Sequence, residues 1–307
     1  MKPAAKLIAT AIAAASVAAC GGGGGGGGGG APTPPPTSLV TFTQFSAIAP
    51  NQTVIMNGTA VTASGNQTST SITSMEPFQS GAGEARLAYD GARALSGISV
   101  STPQSSATFD RNTSGHTVSC SGAVCEGNNP TALGFAFNAF DPTLAWNYQT
   151  FGYWVSDTTP STYSLGAISV GNPTAGNAIP TTGSASFVGV ASGFLFDQSG
   201  TPFITVAAVG ATANFSTQSI AFSTSGTRLL PAEGGALSSP GHDLTGTFTY
   251  APGVNALSST NLRTQNNALS GQGSARFYGP AAEEIGGVYS LSGTGLSRMF
   301  GGFGGKR

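Results

Sequence analysis

Gly271-Gln-Gly-Ser-Ala-Arg-Phe-Tyr-Gly-Pro-Ala-Ala-Glu-Glu-Ile-Gly-Gly-Val-Tyr-Ser-Leu-Ser-Gly293 holds the clearest alternation of small, apolar and polar residues in the chain. With a period of two, Gly271, Gly273, Ala275, Phe277 and Gly279 share one face of its first arm. Gln272, Ser274, Arg276 and Tyr278 take the other. The second arm repeats this, with Ile285, Gly287, Tyr289 and Leu291 opposite Gly286, Val288, Ser290 and Ser292. Two alternating arms joined by residues 280–284 predict an antiparallel hairpin. The small residues on its inward face suit a tightly curved sheet, where glycine relieves crowding at a barrel corner.

The same stretch carries a family resemblance. Ala275-Arg-Phe-Tyr-Gly-Pro-Ala-Ala-Glu-Glu-Ile-Gly-Gly287, followed by Phe303-Gly-Gly-Lys-Arg307, resembles the pattern that closes the β-barrel of transferrin-binding protein B-like surface lipoproteins. Gly279, Pro280, Glu284, Gly286 and Gly287 are the motif residues, and a structural role is expected for them. Asn147-Tyr-Gln-Thr-Phe-Gly-Tyr-Trp-Val155 is similar to the first barrel strand of that family, and Ile179-Pro-Thr-Thr-Gly-Ser-Ala185 is a further family-like feature. The resemblance covers about half the chain.

Working outward, alternation recurs in 184–190, in 203–215, at Ile220 and Phe222, and in 244–250, where Leu244, Gly246, Phe248 and Tyr250 alternate with Thr245, Thr247 and Thr249. Residues 256–261 fit a strand or a loop. The count reaches roughly eight strands, the number at which side chains just fill a barrel. The faces opposite the expected core carry Thr, Ser, Gln and Arg, which suits water better than lipid. Before residue 145 the pattern is looser. Residues 39–45 and 53–55 read as strands, with Pro50-Asn51 and Asn57-Gly58 as turns. Residues 84–90 fit either one or two helical turns or a strand, and Leu133, Phe135, Phe137 and Ala139 share a face. The expected class is all-β: a small β-rich, handle-like domain over 39–144, then an eight-stranded antiparallel barrel over 145–307.

At the start, Lys2 and Lys6 precede an apolar run too short for a permanent membrane helix, ending in Val17-Ala18-Ala19-Cys20. Residues 1–19 read as a signal peptide. Cys20 resembles a lipobox cysteine, which would carry a diacylglycerol and an acyl chain of the palmitate class. Several chains anchor a protein far more firmly than one. Gly21 after the cysteine, by resemblance to enteric sorting, favours the outer membrane. Residues 20–38 form a tether, with ten consecutive glycines and then a Pro-rich segment. Polyglycine loses the most entropy on ordering and stays a coil. No strand, helix or Lys-Ser/Thr pair accompanies it, which rules out a phosphate loop.

Charged residues make up 7% of the chain and the net charge is −1, so the many phosphate contacts of nucleic-acid binding have no source. With 39% apolar residues and 18 Phe, the chain is expected to fold rather than stay disordered. Setting Cys20 aside, Cys120 and Cys125 form an even pair that outside the cytoplasm is expected to oxidise; a free or metal-bound pair is the alternative.

Catalytic signals are missing from the sequence. His242 and Asp243 are adjacent, so on a strand they face opposite ways and make a poor base and orienter. His116 lies in a polar loop. Glu283 and Glu284 read as solvated loop carboxylates, or as acceptors of backbone hydrogen bonds that fix the turn. No enzyme, resident cofactor or metal site is expected, haem being the one cofactor kept in view. The resemblance implies an outer-membrane, surface-exposed lipoprotein that binds a host or nutrient-carrier macromolecule, in iron or haem acquisition, and works with a TonB-type transporter. The chain has room for one lobe where the transferrin receptor lipoprotein has two, which implies a single-lobe relative with another partner. Loops would carry recognition, with Tyr, Phe and Asn of 141–163 and 251–267 as candidates by position. The alternatives are a lipocalin-like carrier of haem or an apolar molecule, which requires a void in the barrel, and an immune-evasion or adhesion module.

Overall fold

Among the described residues, short alternating runs separated by Gly, Pro and Asn become nineteen strands and three single 3₁₀ turns. The computed structural model describes residues 38–68, 72–231 and 234–307. The strands make two sheets. The first contains β1 (Ser38–Thr41), β2 (Gln52–Asn66), β3 (Gln79–Tyr89), β4 (Leu95–Ser101), β5 (Ser106–Asp110), β6 (Thr117–Ser121), β7 (Val124–Asn128), β8 (Ala132–Phe137), β9 (Gln149–Thr159) and β10 (Thr162–Gly171). Its order is β5-β4-β3-β2-β10-β9-β8-β7-β6, with β1 parallel to the start of β2. The sheet curls on itself, so that Phe109 of β5 packs onto Gly127 and Gly134 across its interior.

The second sheet contains β11 (Ser184–Phe196), β12 (Pro202–Asn214), β13 (Ser219–Leu230), β14 (Leu237–Ser238), β15 (Leu244–Thr249), β16 (Leu257–Thr264), β17 (Ser270–Tyr278), β18 (Glu284–Ser292) and β19 (Arg298–Lys306). Apart from the two-residue β14, eight strands close a ring, because β12 pairs with both β11 and β13 and β11 pairs with β19. The barrel is antiparallel throughout. Its interior is filled by Phe187, Phe222, Phe248, Phe277, Leu291 and Phe303, each at most 2% exposed.

The hairpin of residues 271–293 forms as the alternation requires, with Ala275 opposite Gly287 and Gly273 opposite Tyr289. Ala275, Phe277, Ile285, Tyr289 and Leu291 all point into the barrel. The undecided segments 84–90 and 256–261 lie chiefly in strands β3 and β16.

Several expectations change. Asn147–Val155 does not open the barrel: β9 pairs with β8 and β10 in the first sheet, and the barrel starts at Ser184. The division between sheets therefore falls after Gly171 rather than at 144/145, and the first unit is a ten-stranded sheet rather than a small handle. Sequence misplaces β9 because it is buried on both faces. Gln149, Phe151 and Tyr153 face the barrel while Trp154 faces the interior of the first sheet, and a doubly buried strand looks the same in either location. Asn57-Gly58 is not a turn, since β2 runs straight through it. A Cβ at Gly58 would lie 1.8 Å from the Ser169 carbonyl oxygen, so glycine is needed there for the close approach of β10.

Candidate functional site

The motif residues meet at the junction of the two sheets. Gly279, with φ +88°, opens the turn after β17, Pro280 follows it, and Glu284 is the first residue of β18. Glu284 is neither solvated nor confined to shaping its own turn. It is 3% exposed, and its carboxylate reaches the segment that leads into β9 of the other sheet, accepting hydrogen bonds from the N–H groups of Asn147 (2.5 Å) and Tyr148 (3.0 Å). Burial raises its pKa to about 7, with the backbone donors and Lys306 opposing the shift. Glu283 keeps the local role expected of the pair: its side chain accepts from Ala281 N–H at 2.8 Å.

Gly286 and Gly304 form the flat outer wall on which the first sheet rests. A Cβ at Gly304 would lie 2.3 Å from Gln149 Nε2, and one at Gly286 would lie 2.7 Å from both Gln149 Oε1 and Ser169 Oγ. The Gln149 amide is fully buried there, with neither polar atom hydrogen-bonded. Beside it the Tyr278 hydroxyl donates to the Ser169 carbonyl at 3.2 Å, its pKa pushed up to about 12 by burial. Gly287 instead faces inward, toward Ala275 and Phe303. The structure thus brings Gly279, Glu284 and Gly286 to one seam between the two sheets, while Gly287 serves the barrel interior. Gln149, Ser169 and Tyr278 complete that seam. An amide, a hydroxyl and a phenol on three separate strands carry no local signal of it.

The candidate loop residues are largely spent on structure. Phe151, Tyr153 and Tyr163 are buried. Asn147 accepts from the Ser46 N–H, and Asn255 holds the linker and β17 together, donating to the carbonyls of Thr174 (2.9 Å) and Phe277 (2.7 Å). Strand pairing also divides each candidate segment between two ends of the molecule. Gly171 is level with Gln149, and Thr162 with Thr159, so residues 141–148 and the turn 160–161 lie at opposite ends. Residues 250–256 and the turn 265–269 are separated in the same way by β16.

Cys120 and Cys125 face each other in the β6–β7 hairpin and are bonded. His116 Nδ1 accepts from Asp110 N–H at 3.3 Å, and His242 Nδ1 lies 2.7 Å from Ser239 Oγ. Asp243 does not orient His242; its oxygens take the N–H groups of Gly226 and Thr227 at a bulge in β13. Among the described residues no group of three or more His, Cys, Asp or Glu side chains is placed to hold a metal. Cys20, the signal segment and the tether through Thr37 lie outside the described residues.

No protein-family model matches the chain, and no curated protein matches it in sequence. Among solved structures it is similar to a mutant of transferrin binding protein B from Haemophilus parasuis Hp5, at 13% identity and a TM-score of 0.42, over 73% of this chain and 51% of that one. It is also similar to isotype 1 transferrin binding protein B from serogroup B Neisseria meningitidis, at 15% identity and a TM-score of 0.41, over 73% and 49%. A putative outer membrane protein from Bacteroides fragilis NCTC 9343 matches at 10% identity and a TM-score of 0.24, over 82% and 96%. The chain spans about half the length of the first and second of these.

Proposed function

We propose that the protein is a lipid-anchored, cell-surface binding protein that captures a host or nutrient-carrier macromolecule on its loops. The filled barrel is the observation that carries this reading. Phe187, Phe222, Phe248, Phe277 and Phe303 occupy the space a lipocalin-like carrier would need for its cargo, so the barrel is a scaffold. Recognition then falls to what the scaffold displays.

Strand direction selects the end. β1 pairs Ser38 with Gln52 at the start of β2, and β2 runs from there to Asn66 beside Thr162. Fifteen residues of extended chain place the far end roughly 50 Å from the point where the tether joins. The turns at 160–161, 197–201, 265–269 and 293–297 gather at that far end and form the binding surface. In its finer form the reading is iron or haem acquisition, with transfer to a TonB-type outer-membrane transporter, supported by the sequence resemblance of residues 275–287 and the lipobox-like Cys20.

The test is capture from serum and from spent growth medium by the protein immobilised through its N-terminus. A retained protein is expected, and it is expected to be lost when residues 265–269 are replaced by a Gly-Ser turn of equal length. Retention of nothing from either source, with the protein folded, would overturn the reading. Protease treatment of intact cells should remove the domain if it faces outward.

A further inference from the structure

The first sheet is hollow at the end that carries the disulfide. A cavity of about 310 Å³ opens there, at the small end of the range for ligand sites. Its floor is apolar, made by Leu87 of β3, Leu95 of β4, and Ala136 and Phe137 of β8. Below Leu87 and Ala136 the interior narrows to a void of about 20 Å³ among Phe109 and Trp154, so an occupant stops at that level. The wall includes Cys120 and Cys125.

The rim is cationic. Arg93 and Arg111 line it, and no carboxylate does. Arg111 is already committed, to Asp90 at 3.4 Å and to the carbonyls of Leu95 and Val118. Arg93 has no ion-pair partner among the described residues, and its guanidinium lies 5.3 Å from the centre of the Phe140 ring. It sits at φ +61°, a left-handed conformation that costs a non-glycine residue energy, in a turn fixed by the Asp90 carboxylate. Tyr89 stands beside it, 4% exposed, its ring edge-on to Phe140. Its hydroxyl has no hydrogen-bond partner among the described residues and reaches the surface of the cavity. Burial pushes its pKa up, so it stays a neutral O–H donor. A hydroxyl and a guanidinium without protein partners, side by side at the mouth of a cavity with an apolar floor, suit an anionic group that carries an apolar body.

We propose that this cavity binds a small amphipathic carboxylate, with its acid group on Arg93 and the Tyr89 hydroxyl and its short apolar chain on Leu87, Leu95, Ala136 and Phe137. The site lies in the first sheet, away from the filled barrel and at the opposite end from the surface assigned to macromolecular capture, so either role stands without the other.

Calorimetric titration of the disulfide-bonded protein with octanoate tests it. Saturable one-to-one binding is expected, with octan-1-ol about tenfold weaker because it cannot pair with Arg93. Arg93→Gln should weaken octanoate about tenfold, and Tyr89→Phe, which removes only the hydroxyl, should weaken it several-fold with little change in melting temperature. Absence of saturable heat would overturn the proposal. Octanoate binding of native strength in both variants would also overturn it, by placing the ligand elsewhere.

Discussion

The barrel and the first sheet solve the same problem differently. In the barrel every one of the eight strands is laddered on both sides, and the last gap closes through β12–β13 and β11–β19 pairing. The first sheet curls nearly as far, but its edge strands β5 and β6 are not paired with each other. Side chains span the gap instead: Asn129 Nδ2 donates to the Thr108 carbonyl at 2.8 Å, and Arg111 reaches Leu95 at 2.6 Å and Val118 at 3.3 Å. A ladder fixes diameter, and side chains can then be matched to the space. A side-chain bridge holds edges together without fixing the distance along the whole strand. The barrel is accordingly full, and the first sheet keeps a cavity at one end.

This contrast is open to direct attack. The largest effect is expected from Gly287→Val, since even a Cβ there would lie 2.5 Å from the Ser274 carbonyl oxygen and 2.7 Å from Ala275 Cβ. Overpacking against a backbone that the closed ladder cannot let go should cost about 3 kcal/mol or more, read by denaturant unfolding. An unchanged midpoint would show that the barrel yields more easily than its closure implies.

Next comes the seam. Glu284 has a folded pKa raised to about 7, above its ordinary value, so the unfolded state gives up its proton first as pH rises. Its contribution is fully present below about pH 4.5, falls between there and about 7, and is gone above, a loss on the order of 3 kcal/mol. Thermal melts across that window should show the decline, and Glu284→Gln should flatten it.

Asn129→Ala removes the bridge to Thr108 and the acceptor for the Thr131 and Ala132 N–H groups. It should cost about 1–2 kcal/mol. Hydrogen exchange should quicken in β5 and β6 and leave β11 to β19 unchanged. Protection lost equally in both sheets would mean that the two unfold as one unit. Smallest of all, reducing Cys120–Cys125 should cost about 1 kcal/mol or less, because only a short hairpin already held by its own ladder is released.

How much was legible follows from which signals are local. The hairpin of residues 271–293 was readable because each arm has one crowded face, and the inward set Ala275, Phe277, Ile285, Tyr289 and Leu291 stands as expected. The cysteine pair was readable because its partners are five residues apart. Glu284 was not. Nothing near residue 284 announces that Asn147 and Tyr148 will present their N–H groups to it across more than 130 residues of chain. The cavity was hidden for a similar reason. Tyr89 and Arg93 are neighbours in a turn, but Phe137 and Phe140 reach them only through the curl of the sheet.

That the chain is built of strands, and for most of them which side chains share a face, is written in the order of its residues. Those properties follow from the two-residue repeat of extended backbone and the affinity of apolar groups for one another. Which sheet each strand joins is settled only once the strands pack together. Backbone N–H and C=O groups pair with any extended partner, and a strand such as β9, buried on both faces, carries no mark of its neighbours. That one decision gave β9 and β10 to the first sheet, left the barrel to close with β19, and turned the outer wall of Gly286 and Gly304 into a seam.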